Sequence, residues 1–295
     1  MELMQLYYFQ IVAKNQHITR SAEELNVSQP AISTVIARLE SELGVSLFDR
    51  RNRTIVLNDY GRAFLKRVNT ILMEVENSKQ ELKDMSQHAD DMVSLAVTSP
   101  QFLQGTEEFM RENPRIRWQQ SVHEVDEIAQ MLQQGSIDLA VTSPGIYRDN
   151  LVSTVLLCDE FMIAVHPDNP LAAKETVSPS ELATQKFILL QKALPFRTQT
   201  DLLFQDLGIA PEVFMECDHY MRREMLNANA GITVASSSAQ FRHLYDPSIR
   251  FLHIKGAART REVVLTRRKN KYLTCAAQMF CDYLIQYYQE MSRHC

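Results

Sequence analysis

The stretch 22–50, AEELNVSQPAISTVIARLESELGVSLFDR, constrains this chain more than any other. It predicts two short helices about a tight turn. Ser28 has the hydroxyl side chain of an N-cap, and Pro30 falls in the first turn, where a missing N–H costs nothing. Ile32, Ile36, Leu39 and Leu43 recur at steps of four and three, so one face is apolar and packs inward. Gln29, Ser33, Thr34 and Arg38 fall mainly on other faces. They lie towards the helix N-terminus, the end that faces base edges and phosphates in a helix-turn-helix. Gly44 stands where a left-handed residue ends a helix. Upstream, Leu3, Leu6, Phe9, Val12 and Ala13 make an amphipathic first helix, and Thr19 is expected to cap the second. Downstream, 46–57 reads as a hairpin with Arg51, Asn52 and Arg53 at its tip. Such a wing suits the narrow minor groove or the flanking phosphates.

The rest of the chain must carry other domains, because 295 residues exceed one small module. The net charge of −5 hides a local basic patch: 50–67 holds six basic residues and the single acidic Asp59. Residues 1–30 lack the basic and apolar runs of a signal peptide, and no stretch approaches ~20 apolar residues, so a cytoplasmic protein without membrane contact is expected. Cys158, Cys217, Cys275, Cys281 and Cys295 show neither CxxC nor metal-ligand spacing. They read as reduced structural thiols, and no metal or cofactor is expected.

Asn58 or Asp59 is placed to cap a long helix running to about residue 87. Phe64, Val68, Ile71, Val75, Ser78, Leu82 and Met85 form a heptad seam in it, broken at Ser78. The faces between are charged, and the helix follows a module that must pair for palindromic sites, so a dimerisation helix is expected. Residues 88–92 read as a hinge. Beyond it, strands at 93–97, 116–122, 137–141, 161–166, 187–190, 213–216, 231–235 and 263–266 alternate with helices at 102–112, 128–134, 198–207 and 220–228, before a closing helix at 274–289. Such alternation predicts a parallel sheet with covering helices.

The sequence AVTSP occurs twice, at 96–100 and 140–144. Each Ser is expected to cap a helix whose first residue is the following Pro. If the two copies end the first and third strands of a 2-1-3 sheet, they lie side by side at the topological switch point, where ligands bind. Thr98, Ser99, Thr142 and Ser143 would then offer hydroxyls beside helix N-termini, a cradle for a carboxylate. The same strand-end logic selects Arg197, His219 and Thr233 in a second lobe, with Arg197 able to grip an anion bidentately. No Ser-His-Asp order or Gly-rich phosphate loop points to an enzyme, and a solute receptor would not carry a DNA-binding segment.

The residues Ala22, Leu25, Ser28, Gln29, Pro30, Ala31, Ile32, Ser33, Ile36, Leu39, Glu40, Leu43, Gly44, Leu47, Phe48 and Arg50 resemble the signature of the LysR-type transcriptional regulators. One departure is Ser21, where that family usually has Ala. The resemblance implies a winged helix-turn-helix domain over 1–58, a linker and dimerisation helix over 59–88, and an effector-binding domain over 89–295. That last domain would be α/β, bilobal and periplasmic-binding-protein-like (Rossmann-like), with lobe I at 89–161 and 266–295 and lobe II at 162–265. The resemblance further implies a phosphate contact for Arg20. The implied partners are double-stranded DNA with inverted-repeat half-sites, a small effector, a second copy of the chain in a dimer or tetramer, and RNA polymerase as a candidate. A redox-switched or effector-independent regulator is the alternative. The peroxide-sensing branch of the family uses two nearby cysteines, a pairing that this sequence does not match well.

Overall fold

In the computed structural model, described over residues 1–51, 54–85, 92–242 and 244–293, the chain divides into two compact units, Met1–Ala89 and Asp90–Cys295.

The first unit comprises helices α1 (Leu3–Asn15), α2 (Ile18–Glu24) and α3 (Gln29–Leu43), a hairpin of β1 (Phe48–Arg51) and β2 (Thr54–Leu57), and the long α4 (Asp59–Met85). The ends of α3 follow the local code. Ser28 Oγ accepts from Ala31 N, and Gly44 closes the helix at φ 71°. Helix α2 begins differently: His17, not Thr19, is its N-cap, with Nδ1 accepting from Arg20 N at 3.3 Å. Ser21 is fully buried, and its hydroxyl donates to His17 O at 2.9 Å, so the departure from Ala leaves no unpaired polar group.

Phe9, Val12, Ile32, Leu39, Leu47 and Val68 form the core of this unit. Phe9 packs on Phe48 and Phe64 with ring centroids 5.4 and 5.2 Å apart. Glu40 Oε1 accepts from Leu47 N at 2.7 Å, which ties α3 to the start of the wing. Asn58 caps α4: its Oδ1 accepts from Gly61 N at 2.9 Å. Gly61 has no room for a side chain, since a Cβ there would sit 2.1 Å from Leu47 O.

The second unit begins with β3 (Met92–Val97), α5 (Glu107–Glu112), β4 (Arg117–Val122), α6 (Val125–Gln134) and β5 (Leu139–Thr142). These strands stand in the order β4-β3-β5, all parallel, the 2-1-3 arrangement expected. The two AVTSP copies are in register, with Ala96 opposite Ala140 and Val97 opposite Val141. Only the first copy opens a helical turn, a 3-10 turn at Pro100–Leu103, and Ser99 makes no side-chain cap there. The expected helix over 102–112 is therefore this turn followed by the six-residue α5. After Ser143 no helix follows, so the symmetric capping expectation is corrected.

The next strand is far longer than expected. β6 runs over Leu151–Val165, and only its fully buried end, FMIAV, was legible. It is followed by β7 (Thr176–Val177), α7 (Pro179–Leu182), β8 (Lys186–Leu190), α8 (Pro195–Leu207) and β9 (Glu212–Cys217). Then come α9 (His219–Asn227), β10 (Thr233–Ser236), α10 (Ala239–Arg242), β11 (Arg250–Ile254), β12 (Thr260–Arg268) and α11 (Cys275–Arg293). The first part of β6 pairs antiparallel with β12, and its last part pairs with β10 and β11. β12 also lies antiparallel to β5, which makes the sheet mixed. One strand thus serves two lobes. Val93, Leu139, Phe280 and Leu284 belong to the core of the first lobe, and Ile163, Phe187, Leu203 and Val234 to that of the second. Among the described residues no helix is long and apolar enough to cross a membrane.

Candidate functional site

Two surfaces concern function, one in each unit. On the first unit, Arg20, Ser28, Gln29, Pro30, Ser33, Thr34 and Arg38 are all exposed, while the alternate face of α3 is buried through Ile32, Ile36 and Leu39. Periodicity alone thus puts polar side chains outward. Thr34 donates its hydroxyl to Pro30 O at 2.8 Å, which leaves it an acceptor for outside partners. Ser33, Thr34 and Arg38 share a shallow depression with Gln5 and Ser41. Arg51 ends β1, its backbone opposite Thr54. Asn52 and Arg53 lie outside the described residues.

On the second unit, a cavity opens at the ends of β3 and β5. Thr98 Oγ1 accepts from Ser143 N at 3.1 Å, so the two repeat copies are joined there. Ser143 Oγ accepts from Gln199 Nε2 at 3.3 Å, a contact from α8 of the second lobe. Ser99 is among the residues that wall the cavity, and its Oγ is buried and has no hydrogen-bond partner among the described residues.

His219, the first residue of α9, walls the same cavity, with Nδ1 3.5 Å from Gln101 Nε2 of the opposite lobe. Burial pushes its pKa down to about 4, and the charges of Arg222, Arg223 and Arg261 push the same way against Asp218. The ring is therefore neutral near pH 7.

Three expected residues stand elsewhere. Arg197 is only 5% exposed and does not wall the cavity. Its guanidinium donates to Asp201 at 2.7 Å, Glu216 at 2.7 Å and Leu190 O at 2.8 Å, so its charge is already matched inside the second lobe. Thr233 donates its hydroxyl to Ile188 O of β8 at 2.7 Å and is buried in β10. Thr142 is fully buried off the cavity wall, its hydroxyl without a partner among the described residues.

The cavity's strongest charges come from residues not selected by sequence. Arg261 on β12 grips Asp159 on β6 with two bonds of 3.1 and 3.0 Å, and Ser236 Oγ also donates to that carboxylate. Its guanidinium lies 4.8 Å from the Phe241 ring centroid and 5.2 Å from that of Phe196. Arg222 on α9 donates to Val234 O at 3.2 Å and Tyr245 OH at 2.8 Å. Asp159 and Arg261 stand 102 positions apart, so no local pattern announces them. Arg222 did leave a trace: it follows His219 by three on a helix, which puts both on one face.

Among the described residues Cys158, Cys217, Cys275 and Cys281 are free, and burial pushes the Cys217 and Cys281 thiols up, away from the reactive thiolate.

A winged helix-turn-helix unit joined to a two-lobed α/β unit with a cleft defines a ligand-responsive class of DNA-binding protein. Residues 3–62 match the model of the bacterial regulatory helix-turn-helix proteins of the lysR family, and residues 93–289 match that of the LysR substrate binding domain. The chain belongs to the LysR family of DNA-binding transcriptional regulators, with an effector-binding domain. An HTH-type transcriptional regulator of Bacillus subtilis, YybE, is 32% identical over 98% of this chain and 100% of its own length. Among solved structures, a full-length OxyR variant from Pseudomonas aeruginosa aligns at a TM-score of 0.64 and 21% identity, covering 98% of this chain and 95% of its own. Full-length CbnR with its target DNA aligns at 0.54 and 23%, covering 98% of this chain and 100% of its own.

Proposed function

We propose that this regulator reads inverted-repeat promoter half-sites as a dimer or tetramer, and that a small organic anion in the cleft biases the geometry of the complex. On this reading 1–58 binds DNA, 59–88 pairs the subunits and 89–295 senses the effector. Its place is the cytoplasm, where RNA polymerase would meet it on the promoter. Gln29 and Ser33 read base edges in the major groove, while Arg20 and Arg38 hold phosphates. The CbnR structure, of a family member complexed with its target DNA, supports the DNA half of the reading.

The observation that carries the effector half is the wall of the cleft. Ser99 Oγ, buried and unpartnered among the described residues, shares one cavity with Arg222, Arg223 and Arg261, and the sheet places it at the switch point of β3 and β5. Buried hydroxyls and cations facing one cavity favour an anion. An enzyme reading has no such support: the neutral His219 stands among arginines, without a nucleophile among its hydrogen-bond partners.

The DNA half is tested by Gln29→Ala. We expect specific operator binding to weaken by about 1–3 kcal/mol, with relaxed preference at one base pair per half-site. Equal loss on operator and random DNA would remove Gln29 from base reading.

A further inference from the structure

The depression on the exposed face of α3 is lined by two helices. α3 contributes Ser33, Thr34, Arg38 and Glu42, and α1 contributes Gln5. The shared core brings α1 there, with Phe9 of α1 and Ile32 and Leu39 of α3 fully buried together. Gln5 is half-buried, and its carboxamide is held from one side only. Its Oε1 accepts from Glu2 N at 2.7 Å, within the capping box that starts α1. Nε2 of the same carboxamide has no acceptor among the described residues, so it keeps two N–H donors. Glu42 is the one acid lining the depression among the described residues. Its carboxylate takes the Met1 amino group, and Arg38 has no ion-pair partner among the described residues. The lining thus offers hydroxyls, an amide and an unmatched cation, with its acid already engaged.

The DNA half of the proposed function supplies the partner, and this step rests on it. There Ser33 meets a base edge and Arg38 a phosphate. Five residues of helix separate them, about 7.5 Å along its axis. A DNA strand carries a phosphate about every 3.4 Å of duplex axis. A backbone held at Arg38 therefore brings further phosphates to the depression that Arg38 shares with Gln5. We propose that Gln5 Nε2 donates to a backbone phosphate beside the one Arg38 holds, so that the first turn of α1 is part of the DNA-binding surface. Amide side chains contact phosphate oxygens in protein–DNA complexes, and such contacts fix the register of the protein on the duplex without reading sequence. A purely local role for Gln5, the cap on α1, uses only its Oε1.

The test measures binding of the full chain to a mixed-sequence DNA duplex over a sodium chloride series, with the Tm of each variant alongside. Gln5→Met removes the donor at unchanged charge and should bind about threefold to tenfold more weakly, the scale of one hydrogen bond. Gln5→Glu keeps a carboxylate oxygen for Glu2 N, so its Tm should stay at or above the native value. It also turns the donor into an anion against phosphate, and should bind more weakly still, by about tenfold or more. Gln5→Lys adds a cation at the contact and should steepen the slope of log K against log salt by about 0.9 for each subunit bound. At low salt the affinities then fall in the order Lys, Gln, Met, Glu. A capping role alone gives another order, with Glu at least equal to Gln and both above Met, and that order would overturn the proposal. So would a Gln5→Met chain that binds as the native one does. Arg38→Ala separates this inference from the reading beneath it. If Arg38→Ala binds the duplex as the native chain does, this face of α3 does not meet DNA, and both fail. If Arg38→Ala binds more weakly while Gln5→Met and Gln5→Glu bind as the native chain does, the inference alone fails.

Discussion

At the scale of the residue, His219 shows how burial sets chemistry. Its pKa falls from the usual 6.5 to about 4 in the folded chain, chiefly through burial and then through the arginines around it. The unfolded chain therefore takes up this proton first as pH drops. The stabilisation from a neutral His219 is complete above about pH 6.5 and is lost as pH falls from there towards 4. We expect His219→Gln to flatten the dependence of Tm on pH within that window, and an unchanged slope would assign the acid sensitivity elsewhere. Side chains differ in how far their roles can be read from sequence. Ser28 and Gly44 were legible because a cap is a contract between near neighbours. Arg197 was legible as a cation at a strand end, but of the two carboxylates that neutralise it only Asp201 is a near neighbour; Glu216 stands nineteen positions on, past the rest of α8 and a turn, on β9. Thr233 had the right residue type at the right strand, and its hydroxyl turned inward to a carbonyl.

At the scale of the element, α4 is divided along its length. Phe64 and Val68 belong to the core of the first unit, packed with Phe9. Further along, Ile71 is exposed, Val75 is half-buried and Leu82 is 65% exposed. An apolar seam left open on a charged helix favours a second helix against it. Leu82→Asp should leave the monomer's core intact, since no core contact of the single chain is removed. We expect it to convert dimers to monomers and to abolish operator binding with them, because a carboxylate in a closed seam has no partner. A sedimentation coefficient equal to that of the native chain would place the subunit interface away from this seam. Heptad spacing showed the seam but not which of its positions the chain would bury in itself. The 3-10 turn after Ser99 was missed for a different reason: Ser-Pro signals a helical start without fixing how long the helix runs.

At the scale of the whole molecule, the fold class was legible because alternating strands and helices, once the order 2-1-3 is granted, leave few topologies. The long shared strand was not. β6 runs through both lobes, and a strand that changes partners midway changes its burial pattern, so only its most apolar part stands out. β6 and β12 also bring Asp159 to Arg261, two residues beside the cavity that Ser99 and Arg222 line. A small organic anion in the cleft would hold one disposition of the lobes better than another, and that difference in affinity is what can bias bound DNA. The most direct measurement is the footprint of the native chain and of Ser99→Ala on operator DNA, each with and without a small organic anion that raises the native Tm. We expect that anion to change the protected stretch for the native chain, with a coupling of about 1–3 kcal/mol, and to leave the Ser99→Ala footprint at its unliganded pattern. A Ser99→Ala footprint that responds as the native one does would contradict the claim that this cleft controls the DNA complex.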